Sequence, residues 1–145
     1  MKSIIILVAS VLLVPFAGWQ TNFEKAKENA RQQHKLVLLN FSGSDWCGPC
    51  IKMRKDIFDS QAFTAMADSL LVLVNADFPR NKKNQLSKEL QQQNDQLADK
   101  YNQQGIFPLT VLLDENGKML KQWHGLPKDA NGFMEDIKNI AHARK

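Results

Sequence analysis

The chain has 145 residues, of which 43% are hydrophobic and 23% are charged, and these values are typical of one globular domain with a modest core. Its formal net charge is +4, but the lysines and arginines are spread along the chain and form no run of five or more. The composition therefore argues against a nucleic-acid or membrane-surface protein, and we expect no nucleic-acid partner.

The N-terminal segment has the three-part pattern of a secretory signal peptide. Lys2 precedes an apolar run over residues 4–14, which is shorter than the roughly 20 residues needed to span a bilayer. Cleavage after Ala17 or Gly18 would leave Pro15 or Phe16 at a position that a small residue usually occupies. Retention of the segment as a membrane anchor therefore stays open. We expect residues 1–18 to direct export to the periplasm, and residues 19–145 to form one domain.

The next part of the chain predicts helices that alternate with buried strands. The predicted elements are, in chain order, a helix begun by Thr21 or Asn22, a strand over 36–41, a helix over 50–58, a short helix begun by Asp59 or Ser60, and a strand over 70–77. The strand at 36–41 is a near-continuous apolar run, as expected for a strand that is covered on both faces. The first helix and the short helix each start at a polar residue that can cap the first turn.

The last part of the chain predicts a long polar helix, a hairpin and a final helix. The predicted elements are a polar loop over 78–84, a helix over 85–104, strands over 109–113 and 119–123 joined by a turn at Asn116 and Gly117, and a helix begun by Asp129 or Asn131. In the long helix, Leu86, Leu90, Leu97 and Tyr101 share one face, and the glutamines are expected on the solvent side. The element order predicts an α/β fold with a central mixed sheet: a parallel core, an antiparallel C-terminal hairpin and flanking helices.

The two cysteines, Cys47 and Cys50, are separated by Gly-Pro between the first strand and the second helix. As a structural staple they would close a very small loop and so stabilise the fold little. A structural zinc site needs four ligands, and the three histidines are far apart in the sequence. No metal is therefore expected, and a redox role is favoured.

A redox role assigns different tasks to the two sulfurs. Cys47 lies at a helix N-terminus, where the amide dipoles favour the thiolate, the species that attacks a disulfide. Cys50 lies one turn further along and deeper, so it can attack Cys47 and release the reduced substrate. Gly48 allows close approach of the backbone, Pro49 suits the first helical turn, and Trp46 supplies an apolar wall.

The motif WCGPC after an apolar strand, followed further along by GIFPLTVLLDENGK, resembles the thioredoxin superfamily. Over residues 22–143 the chain is similar to exported bacterial thioredoxin-like proteins, and to the C-terminal domain of the membrane-embedded reductase that supplies electrons to the periplasm. The resemblance implies a thioredoxin-like fold and a thiol–disulfide oxidoreductase of the cell envelope. It also implies protein disulfides as substrates, a membrane thiol reductase as electron donor, and no cofactor beyond the cysteine pair.

The resemblance also implies a substrate groove opposite the cysteines. Pro108 matches the proline that is cis in thioredoxins, and the backbone of the preceding residue, Phe107, would pair with the substrate. Gly105 and Gly125 match glycines that line this groove. One extra residue between Gly105 and Pro108 departs from the family pattern and puts the contact of Phe107 in question.

A second departure concerns proton transfer. Thioredoxins bury an acidic residue before the motif and pair it with a lysine, and the aligned positions here hold Asn40 and Leu73. Asparagine cannot act as a general base, so Asn40 would orient water or satisfy a buried backbone group. Asp45 is the alternative support for proton transfer.

Two further functions stay open at this point. One is a net thiol oxidant with the same cysteine pair. The other is a non-enzymatic module that binds a partner through Trp46, Phe107 and Pro108.

Overall fold

The computed structural model describes residues 18–144, so the predicted signal peptide lies outside the described residues except for Gly18. The helices are α1 Phe23–Gln33, α2 Gly48–Met53, α3 Gln61–Leu70, α4 Lys88–Tyr101 and α5 Ala130–His142. The strands are β1 Leu36–Ser42, β2 Leu71–Asp77, β3 Leu109–Leu113 and β4 Met119–His124. A π-helical turn, Arg54–Phe58, continues α2, so the helix predicted over 50–58 changes its hydrogen-bond pattern midway.

The four strands form one mixed sheet in the order β2-β1-β3-β4. β1 pairs with β2 in parallel, while β3 runs antiparallel to both β1 and β4. The predicted mixed sheet is thus confirmed, and its parallel part within the described residues is the β1–β2 pair. Gln20 adds a short parallel bridge beyond β2, which ties the segment before α1 to the sheet edge.

Helices cover both faces of the sheet, because β1 is buried at all seven positions and its side chains alternate between two core layers. Leu38 belongs to the layer formed with α3 and α5. Val37 and Phe41 belong to the layer formed with α1 and α4. This double coverage explains the unbroken apolar run of β1, and it fixes the end of β1 where the cysteine loop begins.

Polar caps set most helix starts where they were predicted. Asn22, Ser60 and Asp129 each accept a backbone N–H at the start of α1, α3 and α5. The prediction for the long helix was partly wrong. α4 begins only after its cap Ser87, because the side-chain oxygen of Ser87 accepts the N–H of Leu90, so Leu86 lies before the helix.

The glutamines of α4 do not all face solvent, which corrects the prediction. The side-chain oxygen of Gln93 accepts the N–H of Phe23 at 3.0 Å, and its amide donates to the carbonyl of Thr21 at 2.8 Å. Gln93 therefore fastens the start of α1 to α4.

Candidate active site at the end of strand β1

Cys47 and Cys50 are joined by a disulfide, with their Cα atoms 5.2 Å apart. Cys47 is the N-cap of α2, and its sulfur accepts the N–H of Cys50 at 3.3 Å. Both residues are buried, with exposed fractions of 4% and 6%, so the expected difference in depth is not seen in the oxidised pair. Gly48 and Pro49, in contrast, are exposed. The sulfur of Cys47 thus already sits where the first amides of α2 would stabilise a thiolate.

Trp46 is held beside the disulfide by the turn that follows β1. The backbone N–H groups of Trp46 and Cys47 both donate to the carbonyl of Gly43, and the indole N–H donates to the carbonyl of Phe78 at 2.7 Å. A Cβ atom on Gly43 would overlap the indole ring. The indole therefore requires glycine at position 43.

Phe107 and Pro108 directly precede β3. The peptide bond between them is cis, so Phe107 is the residue before the cis proline despite the extra residue in this segment. The ring of Phe107 meets Trp46 edge-on, with ring centroids 5.4 Å apart, and also meets Phe78 at 5.5 Å. The predicted apolar wall is therefore a cluster of three aromatic rings. The substrate-binding role of these residues stays a prediction.

A cavity of about 300 Å³ with several polar lining residues lies beside Cys50. Asn40, Ser42 and Asn75 are among its lining residues. The amide of Asn40 donates to the side-chain oxygen of Asn75 at 3.3 Å and accepts the hydroxyl of Thr110 at 3.1 Å. Asn40 is 5% exposed, and its polar atoms are satisfied without any charge.

The strand register places an amide opposite Asn40. Asn40 lies opposite Asn75, whereas Leu73 lies opposite Leu38. The position facing Asn40 is therefore held by an amide rather than by Leu73. An Asn–Asn pair can exchange hydrogen bonds while remaining neutral, which avoids the cost of a buried charge.

The carboxylate of Asp45 binds the loop after β2 rather than the cysteine cavity. It accepts the backbone N–H groups of Arg80 and Asn81, both at 2.9 Å, and the side-chain amide of Asn84 at 3.0 Å. These bonds, first that from the N–H of Arg80, hold the pKa of Asp45 below its usual value. Asp45 is not among the residues that line the cavity of Cys50. A role for Asp45 in proton transfer is therefore not supported by a shared cavity and stays a prediction.

Sequence reasoning missed the contribution of the loop after β2. The guanidinium of Arg80 lies over the Trp46 ring, 3.8 Å from its centroid. Asp77, at the end of β2, accepts the hydroxyl of Ser42 and the backbone N–H and hydroxyl of Ser44. The sequence FPRNKKN gave no periodic signal that could place these side chains beside the cysteine motif.

The three histidines lie on separate elements: His34 at the end of α1, His124 at the end of β4 and His142 at the end of α5. Across residues 18–144, no three histidine, cysteine or acidic side chains are grouped so that they could hold a metal ion. None of the helices in that same range is long and apolar enough to cross a membrane.

The chain was compared with known proteins. A family model described as thioredoxin-like matches residues 18–115. The chain is 35% identical over 126 residues to the disulfide bond reductase DsbH of Chlamydia pneumoniae, covering 87% of this chain and 74% of that protein. It is 29% identical over 83 residues to the thioredoxin-related protein DsbJ of the same organism, covering 57% of this chain but only 23% of DsbJ.

Solved structures give the same result. A structure of the DsbH oxidoreductase superposes with a TM-score of 0.77 at 29% identity, covering 97% of this chain and 95% of that one. A poplar thioredoxin h superposes with a TM-score of 0.54 at 24% identity, covering 84% and 93%, which shows a likeness of fold. From its fold, its CxxC disulfide and these matches, the chain belongs to the thioredoxin-like family.

Proposed function

We propose that this protein reduces disulfide bonds of exported proteins in the bacterial cell envelope. The reaction class, thiol–disulfide exchange, follows from the family and from the paired cysteines at the start of α2. The direction and the location are supported by the likeness to a protein named a disulfide bond reductase and by the signal-peptide pattern of residues 1–18.

The observation that carries the proposal is the position of Cys47. Its sulfur caps α2, so the amide dipoles that now face a neutral disulfide would stabilise a thiolate after reduction. Trp46 and Phe107 form an apolar wall beside it. A polypeptide lying along this wall would bring its own disulfide to Cys47.

The exchange takes place in two steps. The thiolate of Cys47 attacks one sulfur of the substrate disulfide, and the other substrate sulfur leaves as a thiolate that takes a proton from water. Cys50 gives up its proton to water and attacks the sulfur of Cys47, which expels the second substrate sulfur as a thiolate that also takes a proton from water. The substrate gains two electrons and two protons, and the protein ends with the Cys47–Cys50 disulfide.

The next cycle requires a reductant for that disulfide. A dithiol carried by a membrane thiol reductase would supply the two electrons by the same exchange chemistry. The groove at Trp46 and Phe107 would then serve the donor and the substrate in turn.

An insulin-reduction assay tests the proposed activity. Reduced wild-type protein should precipitate insulin in the presence of a dithiol, while Cys47→Ser should be inactive and Cys50→Ser should accumulate mixed disulfides on Cys47. Equal activity of all three proteins would contradict the proposal. Adducts isolated from cells that express Cys50→Ser would identify the substrates.

The reduction potential distinguishes a reductant from a net oxidant. We expect a value near the roughly −270 mV of thioredoxin, whereas a value near the roughly −120 mV of the strongest bacterial thiol oxidant would reverse the assigned direction. Equilibration with glutathione or dithiothreitol buffers measures it.

A further inference from the structure

A cleft of about 420 Å³ opens beside Trp46, and it shares no lining residue with the cavity of Cys50. We call it the side cleft. Its walls are the loop after β2, the first turns of α4, and the segment that leads to the cis proline. Its lining residues include Trp46, Asp77, Arg80 and Phe107.

The side cleft shares Trp46 and Phe107 with the apolar wall beside the cysteines. Trp46 directly precedes Cys47, so a polypeptide bound at Cys47 can continue past the indole into the cleft. The residues that enter the cleft would then lie within a few positions of the cysteine under attack. The cleft can therefore contact the residues that flank a substrate disulfide and discriminate between them.

Basic residues are concentrated in the segment that runs from the loop after β2 to the start of α4, and one of them, Arg80, lines the side cleft. Residues 78–88 contain four basic residues and no acidic one. Among the ion pairs of the described residues, 18–144, none involves Arg80, Lys82, Lys83 or Lys88. Lys52 and Arg54, two other cations near the cysteines, are paired with Asp56 and Asp59.

Arg80 is the cation that forms part of the cleft itself. Its guanidinium stacks on Trp46, and the residue is exposed. Stacking orients the plane of the guanidinium but leaves its N–H groups at the edge, where they can donate to a carboxylate. The carboxylate of Asp45 accepts the backbone N–H of Arg80. This bond holds the backbone from which the Arg80 side chain extends.

Two carboxylates lie close to the cleft, and both are engaged elsewhere. Asp77 lines the cleft but accepts hydrogen bonds from Ser42 and Ser44. Asp45 accepts the amides of the loop. Neither forms an ion pair with Arg80, so the guanidinium keeps its capacity to bind an acidic group from outside.

We propose that the side cleft binds an acidic segment of the substrate polypeptide, with Arg80 pairing a glutamate or aspartate close to the cysteine that Cys47 attacks. This inference rests on the proposed function, because it names the class of substrate that the same site prefers. The positive charge of Arg80 favours an acidic segment over a neutral one. The aromatic wall shared with Cys47 determines which residues of that segment enter the cleft. Arg80 is then a specificity-determining residue.

Two matched peptides test the inference. Each contains the same cysteine pair, and the residues that flank one cysteine are glutamate in one peptide and glutamine in the other. Their serine-for-cysteine versions are titrated into oxidised wild-type protein by calorimetry, and the disulfide versions are used as substrates for kcat/KM. We expect the glutamate peptide to bind about twofold to fivefold more tightly at low salt, the scale of an exposed ion pair, with the preference decreasing as salt is raised.

The variants Arg80→Gln and Arg80→Lys localise the effect. Arg80→Gln should bring the ratio of the two affinities close to one, and Arg80→Lys should keep part of it. Arg31→Gln, which removes an arginine that pairs with Glu28 on the surface of α1, should leave the ratio unchanged. An equal loss for both peptides in Arg80→Gln would overturn the inference, because it would show that Arg80 only supports Trp46.

Equal binding of the two peptides by the wild type would also overturn it. The failure of the proposed function would look different, since insulin reduction would then be absent. A wild type that reduced no disulfide and still preferred the glutamate peptide would keep the cleft as an acidic-peptide site and remove its link to catalysis.

Discussion

Replacing Asn40 by aspartate would place an ionisable group in the buried position next to the cysteine cavity. Asn40 is 5% exposed, donates to the side-chain oxygen of Asn75 and accepts the hydroxyl of Thr110. An ionised carboxylate would keep the bond from Thr110 but would face the oxygen of Asn75 with no proton between them. A protonated carboxyl group could still donate to that oxygen. The site therefore favours the neutral acid.

The size of the effect follows from burial. Desolvation, with no cation among the hydrogen-bond partners of Asn40, should raise the pKa of the introduced group by about 2 units from an unfolded value of about 3.9. The folded variant then binds more protons than the unfolded chain between about pH 4 and pH 6. Its free energy of unfolding should decrease across that window by about 2.7 kcal/mol relative to wild type, and stay constant at higher pH.

Urea unfolding of the oxidised proteins between pH 4 and pH 8 measures this difference. Asn139→Asp is the matched control, because Asn139 is exposed on α5 and its carboxylate should titrate normally. If the free energy of unfolding depended on pH in the same way for Asn40→Asp and Asn139→Asp, the reasoning would be refuted. That result would show that water reaches position 40 freely. In the reduced protein the same variant should increase the rate of insulin reduction at pH 7, where the introduced carboxylate could accept the proton of Cys50.

Three further outcomes are expected. Gly43→Ala should displace the indole of Trp46 and lower the free energy of unfolding by about 1–3 kcal/mol, seen in near-ultraviolet circular dichroism and urea unfolding. Tyr101→Phe should cost about 1 kcal/mol, measured by the same unfolding assay, because the buried hydroxyl donates to a carbonyl of the β3–β4 turn at 2.6 Å. Since the N–H of Arg80 lowers the pKa of Asp45, the carboxylate supports the folded loop above the ordinary aspartate pKa, and that support disappears as the pH falls through the lowered value. Amide exchange of the loop should thus be slower in wild type than in Asp45→Asn at neutral pH, and the difference should vanish in strong acid.

Elements fixed by local chemistry could be predicted from the sequence. The apolar run at 36–41 and the caps at Asn22, Ser60 and Asp129 lie at the predicted places, because burial on both faces and capping act within a few residues. The cysteine pair was recognisable for the same reason, since a sulfur at a helix start is a local arrangement.

Contacts between distant segments could not be predicted in this way. Asn75 rather than Leu73 faces Asn40, because the register of the parallel pair depends on packing along both strands. Gln93 sits in a polar run whose pattern resembles a solvated helix face, yet it binds Phe23 and Thr21 across the fold. Arg80 reaches Trp46 only because Asp45 holds the loop in place.

The neutral pair at Asn40 and Asn75 has a consequence for the reduced enzyme. A buried carboxylate beside Cys50 could accept its proton and become neutral, whereas the amides of Asn40 and Asn75 cannot accept it. With amides at these two positions, the proton of Cys50 has to pass to solvent, which would reach it through the cavity of about 300 Å³. Proton removal from Cys50 then depends on the pH of the solvent rather than on an internal base. The second step of exchange should therefore accelerate with pH in the wild type, and it should lose part of that dependence when Asn40→Asp supplies an acceptor within the protein.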